Sequence, residues 1–174
     1  MKDLDVLWRR VIAYYIDCLF ILIFAVCLGG GVLALQKALG ITLTQHAGLG
    51  HIIAFTTLTL PALLYFALTE ISEKQASFAK RFLGLRVQTI SGEKASFKKA
   101  CLRAVILLLP WEIAHTAIWY GSPQPFITPP AIWALCLMIG AQLMLVIYFF
   151  MAIASPRRSV AERLTGLEVL RVRE

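Results

Sequence analysis

Between Val11 and Leu35 lie 25 consecutive residues in which Asp17 is the only charge. About 20 apolar residues suffice to carry a helix across the hydrocarbon core of a bilayer, so this run restricts the chain to a membrane fold. A carboxylate inside such a run is costly in lipid and is expected to face protein or a water-filled path. Arg10 stands just before the run, seven residues ahead of Asp17. At about 3.6 residues per turn the two share nearly one face, with Ala13 and Tyr14 on the stripe between them. Their separation along the axis is roughly 10 Å, long for a direct pair. Arg10 is therefore expected to snorkel into the headgroups, and Asp17 to find a partner on another helix.

Three more apolar runs follow, and the spans are expected at about 11–35, 51–69, 104–120 and 131–154 of a single membrane domain covering 1–174. With 59% apolar and 16% charged residues, little of the chain is left for anything soluble. A net charge of +7 would suggest nucleic acid only on the basic face of a soluble domain, and here the charges gather in the connecting segments, so no nucleic-acid partner is expected. The loop 70–103 holds eight of the 17 Lys and Arg against three acids, and the tail 155–174 holds five more. Both are expected on the cytoplasmic side. The third run is short and carries Pro110, Glu112 and His115, features of a re-entrant segment. If it failed to cross, however, the fourth would deliver Arg157, Arg158, Arg163, Arg171 and Arg173 to the outer side, against the charge bias. Four crossings with both termini inside leave only Lys37 of the basic residues outside.

Local signals refine this. Lys37–Gly50 and Gly121–Thr128 read as outer loops, Gly29, Gly30 and Gly31 as a weak stretch of helix or a place of close approach, and Pro61 as a kink. The first run is too long for the core of a signal peptide and is expected to be retained. Cys18, Cys27, Cys101 and Cys136 all fall in apolar segments without a CxxC pair and read as small core residues. Leu85–Ile90 alternates apolar and polar residues, and Ser91-Gly92 signals a turn before Glu93–Phe97, so a short hairpin is expected there.

Ser77–Val87 (SFAKRFLGLRV) and Ser159–Val169 (SVAERLTGLEV) agree at six of 11 positions, 82 residues apart. Each copy follows an even-numbered span, as in two helix-pair units related by an axis along the membrane normal. The start of each copy suits a short interfacial helix with Lys80, Arg81 and Arg163 at the headgroups; the glycine would end it and a strand would follow. The strands Leu85–Gln88 and Leu167–Val172 are expected to pair, with Arg86 and Glu168 supplying a small favourable charge term.

These motifs are similar to those of the RDD family, small bacterial membrane proteins named for one arginine and two aspartates. RVIAYYID (Arg10–Asp17) resembles the family's R-x-x-A-x-x-I-D, SFAKRFLGLRV its T-x-G-K-R-x-x-G-L-x-V, and AERLTGLEV its D-R-x-A-G-T-x-V ending. Glu162 stands where the second aspartate is expected, Ala79 replaces a glycine and Ser77 a threonine. The resemblance implies a multi-pass protein of the bacterial inner membrane with a role in transport, sodium/proton exchange having been proposed for some members. Arg10, Asp17 and Glu162 become its transport or ion-pair residues.

Three further groups are candidates. Glu112 and His115, spaced E-x-x-H on one helix, suit a polar contact or a proton relay with Gln142 and Asp17. One such motif falls short of a di-iron site, so no metal and no cofactor is expected. Lys80, Arg81, Lys98, Lys99, Arg103 and Arg163 suit anionic lipid headgroups or a docking partner, since each basic residue near a membrane surface contributes about 1 kcal/mol. With no Walker, dinucleotide or G-x-S-x-G motif, no enzyme is expected. The whole reads as an all-α membrane protein with four transmembrane helices, both termini inside, and a two-fold repeat of helix pairs. A small cytoplasmic cap of short amphipathic helix and strand completes it. Its expected function is cation or proton transport through Asp17, by a homo-oligomer because four helices enclose little water, or else that of a non-catalytic scaffold docking a membrane partner through the basic cap.

Overall fold

The computed structural model describes residues 2–41, 46–125 and 127–172. Parts of both expected outer loops (42–45 and 126), together with Arg173 of the basic tail, lie outside the described residues. Helix α1 runs Lys2–Leu39, and α2 (Ala47–Ala54) passes through a π-helical turn, Phe55–Thr59, into α3 (Leu60–Ile71). The short α4 (Phe78–Phe82) leads to strand β1 (Leu85–Thr89), followed by α5 (Phe97–Tyr120), α6 (Ile132–Ala154), the short α7 (Val160–Thr165) and β2 (Leu167–Arg171). Among the described residues, four helical stretches are long and apolar enough to cross a membrane: Leu4–Leu39, Ala47–Ile71, Phe97–Tyr120 and Ile132–Ala154. The first three extend past their apolar runs, and the fourth coincides with its run to within one residue.

Several local expectations need correction. The three glycines do not interrupt α1, and a Cβ on any of them would meet nothing within 4 Å. At Pro61 the irregularity takes the form of a π-helical turn over the preceding Phe55–Thr59. Lacking an N–H, it leaves the i→i−4 ladder incomplete, and the preceding turn widens to π spacing while Thr56 and Thr57 donate their hydroxyls to the carbonyls of Ile52 and Ile53 at 2.8 and 2.6 Å. Cys27 and Cys136 are exposed rather than in a core, on helix surfaces apolar enough to lie in lipid.

The hairpin after β1 does not form. Thr89 N–H closes a turn on Glu93 O at 2.9 Å, and β1 pairs instead with β2, antiparallel, with Leu85 opposite Arg171 and Val87 opposite Val169. In this register Arg86 faces Leu170, and Glu168 takes its cross-strand partner from Gln88, whose amide donates at 3.3 Å. The expected Arg86–Glu168 pairing is thus two positions out.

The chain divides into two compact units. The first comprises Met1–Phe20, Ala62–Leu107 and Val146–Glu174. Its core joins Leu85 and Val87 of β1 and Leu167 and Val169 of β2 to Val6 and Ala13 of α1, Ala79 of α4 and Ala95. Fully burying such aliphatic side chains is worth about 1.5–3 kcal/mol each, which two strands alone would not secure. Both outer edges of the sheet are tied down in matching ways: Val87 N–H donates to Gln75 O at 2.7 Å and Val169 N–H to Arg157 O at 2.9 Å, donor and acceptor shifted by the same 82 positions as the motifs. Gly84 and Gly166, each at the same step of its copy, adopt φ values of 65° and 68°, the left-handed turn that lets a short helix run into a strand.

The second unit comprises Ile21–Pro61 and Leu108–Leu145. Here Gly50 of α2 packs against Trp119 of α5 so closely that a Cβ would lie 2.1 Å from the indole ring. A cavity of about 730 Å³ opens beside them, with Ile53, His46, Thr57 and Gln124 in its wall.

Candidate functional site

The first unit holds two polar centres, and α1 contributes to both. Asp17 is 2% exposed. Its Oδ1 accepts from the Tyr65 hydroxyl of α3 at 2.8 Å and from the Ala79 N–H at 3.3 Å, and its Oδ2 accepts from Ser77 Oγ at 2.5 Å. The Tyr65 hydroxyl in turn accepts the Phe78 N–H at 2.9 Å. Ser77 is the N-cap residue of α4, yet its own side chain makes no capping bond. Asp17 and Tyr65 satisfy the first amides of that helix in its place. Five residues are too few to hold a helix unaided, so α4 depends on these bonds from α1 and α3.

Glu162 is the second centre. It is the N3 residue of α7 and closes a capping box with Ser159, whose N–H donates to Oε2 at 2.8 Å and whose hydroxyl also donates to Oε2. Arg10 Nη2 reaches Oε2 at 2.9 Å, while Arg103 Nε and Nη2 reach Oε1 at 2.9 and 2.5 Å. Arg10 also donates to Pro156 O at 2.5 Å and to Ser159 Oγ at 3.2 Å. Arg103 continues through Nη1 to Glu70 Oε1, which the Lys80 ammonium shares at 2.6 Å. Glu70 and Glu162 are fully buried, and Arg103 and Lys80 are 2% and 8% exposed. Burial alone would push the Glu162 carboxyl up, but Arg103 and Arg10, with the Ser159 hydroxyl, overcome it and hold the group well below the usual carboxylate range. Burial draws the Lys80 ammonium below its ordinary value against the pull of Glu70.

Arg10 and Asp17 therefore serve different centres. Lys80 and Arg103, expected at headgroups or a docking partner, are inside the charge network, whereas Arg81, Lys98, Lys99 and Arg163 are exposed. Glu112, His115 and Gln142 belong to the second unit and Asp17 to the first. Within the second unit Glu112 Oε1 lies 2.8 Å from His51 Nε2, and its Oε2 accepts from the Thr59 hydroxyl at 2.7 Å. His115 Nδ1 stands 3.8 Å from the same oxygen, and Gln142 is exposed. Among the described residues, no group of three or more His, Cys, Asp and Glu side chains is placed to hold a metal ion.

Sequence reasoning overlooked Glu70, Tyr65, Ser77, Ser159, His51 and Thr59. The two serines carried a signal, since each opens one copy of the repeated motif. Glu70 closes an apolar run as many interfacial acids do, and nothing distinguishes Tyr65 from other span aromatics.

Membrane-length helices joined to a small cap of short helices and paired strands define a multi-pass helical membrane protein. The chain belongs to the RDD family, whose model matches residues 5–166. No curated protein and no solved structure matches it.

Proposed function

We propose that this protein carries protons or small cations across the bacterial inner membrane, with Asp17 as the exchanging carboxylate, both termini and the cap in the cytoplasm, and no catalytic chemistry. The observation that carries this reading is the contrast between the two buried acids. Glu162 is clamped by two guanidinium groups, whereas the donors to Asp17 are two hydroxyls and a peptide N–H, all uncharged. Charge-assisted hydrogen bonds are about twice as strong as neutral ones, so an arriving ion would displace the donors of Asp17 far more readily than those of Glu162. Tyr65 and Ser77 would then offer hydroxyl oxygens beside the carboxylate, ligands suited to a hard cation. In this account Arg10, Arg103 and Glu162 hold the cap in place and do not exchange. Four helices enclose little aqueous space, so the working form is an oligomer.

The scaffold reading is favoured by one fact: Asp17 caps α4, a structural task. Flux measured in vesicles separates the two. Transport requires proton or sodium flux that Asp17→Asn abolishes in folded, inserted protein. A scaffold gives none, and it is charge reversal at the exposed Lys98 and Lys99 that would lose its membrane-protein partner.

A further inference from the structure

In each copy of the repeated motif a buried charge is followed by an exposed pair. After Lys80 come Arg81 and Phe82, and after Glu162 come Arg163 and Leu164. Phe82 is 80% exposed, Leu164 67% and Phe78 62%. Six residues separate α4 from the end of α3 and five separate α7 from the end of α6. At no more than about 3.5 Å per residue, neither short helix can stand further than roughly 25 Å from the end of its span. α4 is drawn in closer still. Its Phe78 N–H binds Tyr65, six residues and so roughly 9 Å back along α3, and the Phe78 ring stacks on Phe20 of α1 at 6.4 Å between centroids. The exposed phenylalanines thus lie at the boundary between span and headgroup.

Among the described residues, the arginines beside them are oriented without an acid to neutralise them. Arg81 Nε donates to Ala76 O at 2.9 Å and its Nη2 to Ser72 Oγ at 3.0 Å, and Arg163 Nε donates to Arg158 O at 3.1 Å. Carbonyl and hydroxyl partners fix the planes of the guanidinium groups and leave their charge at the surface. An oriented guanidinium offers two parallel donors to a phosphate, and an adjacent large apolar side chain packs against the upper methylenes of an acyl chain.

We propose that Arg81 with Phe78 and Phe82, and Arg163 with Leu164, form two equivalent sites for anionic phospholipids at the membrane surface. The assignment does not depend on transport. Basic residues near a membrane surface each contribute about fivefold to the affinity for anionic lipid.

The test uses the full chain purified in detergent and offered phosphatidylglycerol and phosphatidylcholine at equal concentration, with bound lipids counted by native mass spectrometry. The wild type should retain two phosphatidylglycerol molecules preferentially, Arg81→Gln or Arg163→Gln should each weaken the binding of one of them about fivefold while leaving the other, and the double variant should lose the preference, with the unfolding midpoint unchanged. Phe82→Ser should weaken retention of the lipid while leaving any binding of glycerol phosphate as it was. Equal retention of the two lipids, a preference that survives in the double variant, or glycerol phosphate competing as well as the lipid would each overturn the proposal. A dimer that Arg81→Gln dissociates, without lipid preference, would assign the face to a second copy of the chain and overturn it too.

Discussion

Ser77, the residue at the N-cap of α4, gives its hydroxyl to Asp17 of α1 at 2.5 Å instead of to its own helix. The carboxylate answers by accepting the Ala79 amide, so the start of a short helix of the cap is built around an acid carried by a membrane-length helix. Ser77→Ala should leave Asp17 Oδ2 buried without that donor and destabilise the protein by about 1–3 kcal/mol. Thermal unfolding in detergent measures the loss, and hydrogen exchange at the Ala79 amide should speed up with it. Unchanged exchange at Ala79 would show that α4 does not depend on this bond.

The second acid is held by charge. Glu162→Gln leaves the buried Arg103 and the part-buried Arg10 without an anion between them and should cost about 3–5 kcal/mol. Glu162→Asp, which restores the residue that the family motif carries, keeps the charge on a side chain one methylene shorter. It should lose one of the two arginine contacts and cost about 1.5–3 kcal/mol. Unfolding midpoints of the two variants should rank accordingly, and arginine side-chain exchange should identify which contact is released.

Acid should act through the same residue. Because the folded-state carboxyl of Glu162 lies well below its ordinary value of 4.5, its contribution to stability is present above that value and is lost as the pH falls toward the folded-state value. Unfolding followed from about pH 7 down to about pH 3 should show stability falling on the acid side, and Glu162→Gln should flatten that limb. An acid limb of undiminished slope in the variant would place the titrating group elsewhere.

The second unit makes a steric prediction. A methyl group at Gly50 would collide with Trp119, whose ring lies 2.1 Å from the Cβ position. Gly50→Ala should therefore destabilise by about 1–3 kcal/mol, and the additional change Trp119→Leu should recover part of the loss. Indole fluorescence of the single variant should shift as the ring moves.

Much of the fold was legible because a bilayer demands long apolar runs, and four such runs stood out although their ends did not. The hairpin expectation failed for a physical reason. Ser91-Gly92 does make a turn, but a turn signal is local, and the partner that completes β1 is the strand of the second motif copy, 82 residues away. The repeat pointed to that pairing while the Arg86 and Glu168 charges pointed to the wrong register. Within the site, Arg10, Asp17 and Glu162 could be picked out from their motifs. That Arg10 serves Glu162 while Asp17 serves Ser77 depends on how α1 meets two separate short helices, which spacing along one helix does not contain. Lys80 and Arg81 looked alike in a basic loop, yet neighbours on a helix differ by about 100° in direction, and one turns into the charge network while the other faces out.

Under the proposed transport function Asp17 exchanges an ion while Glu162 does not. Proton and sodium flux into vesicles tests this, comparing wild type, Asp17→Asn and Glu162→Asp at matched amounts of correctly inserted protein. Transport through Asp17 requires flux in the wild type, its loss in Asp17→Asn, and its survival at reduced level in Glu162→Asp. Undiminished flux in Asp17→Asn, or none from the wild type under any cation gradient, would contradict it.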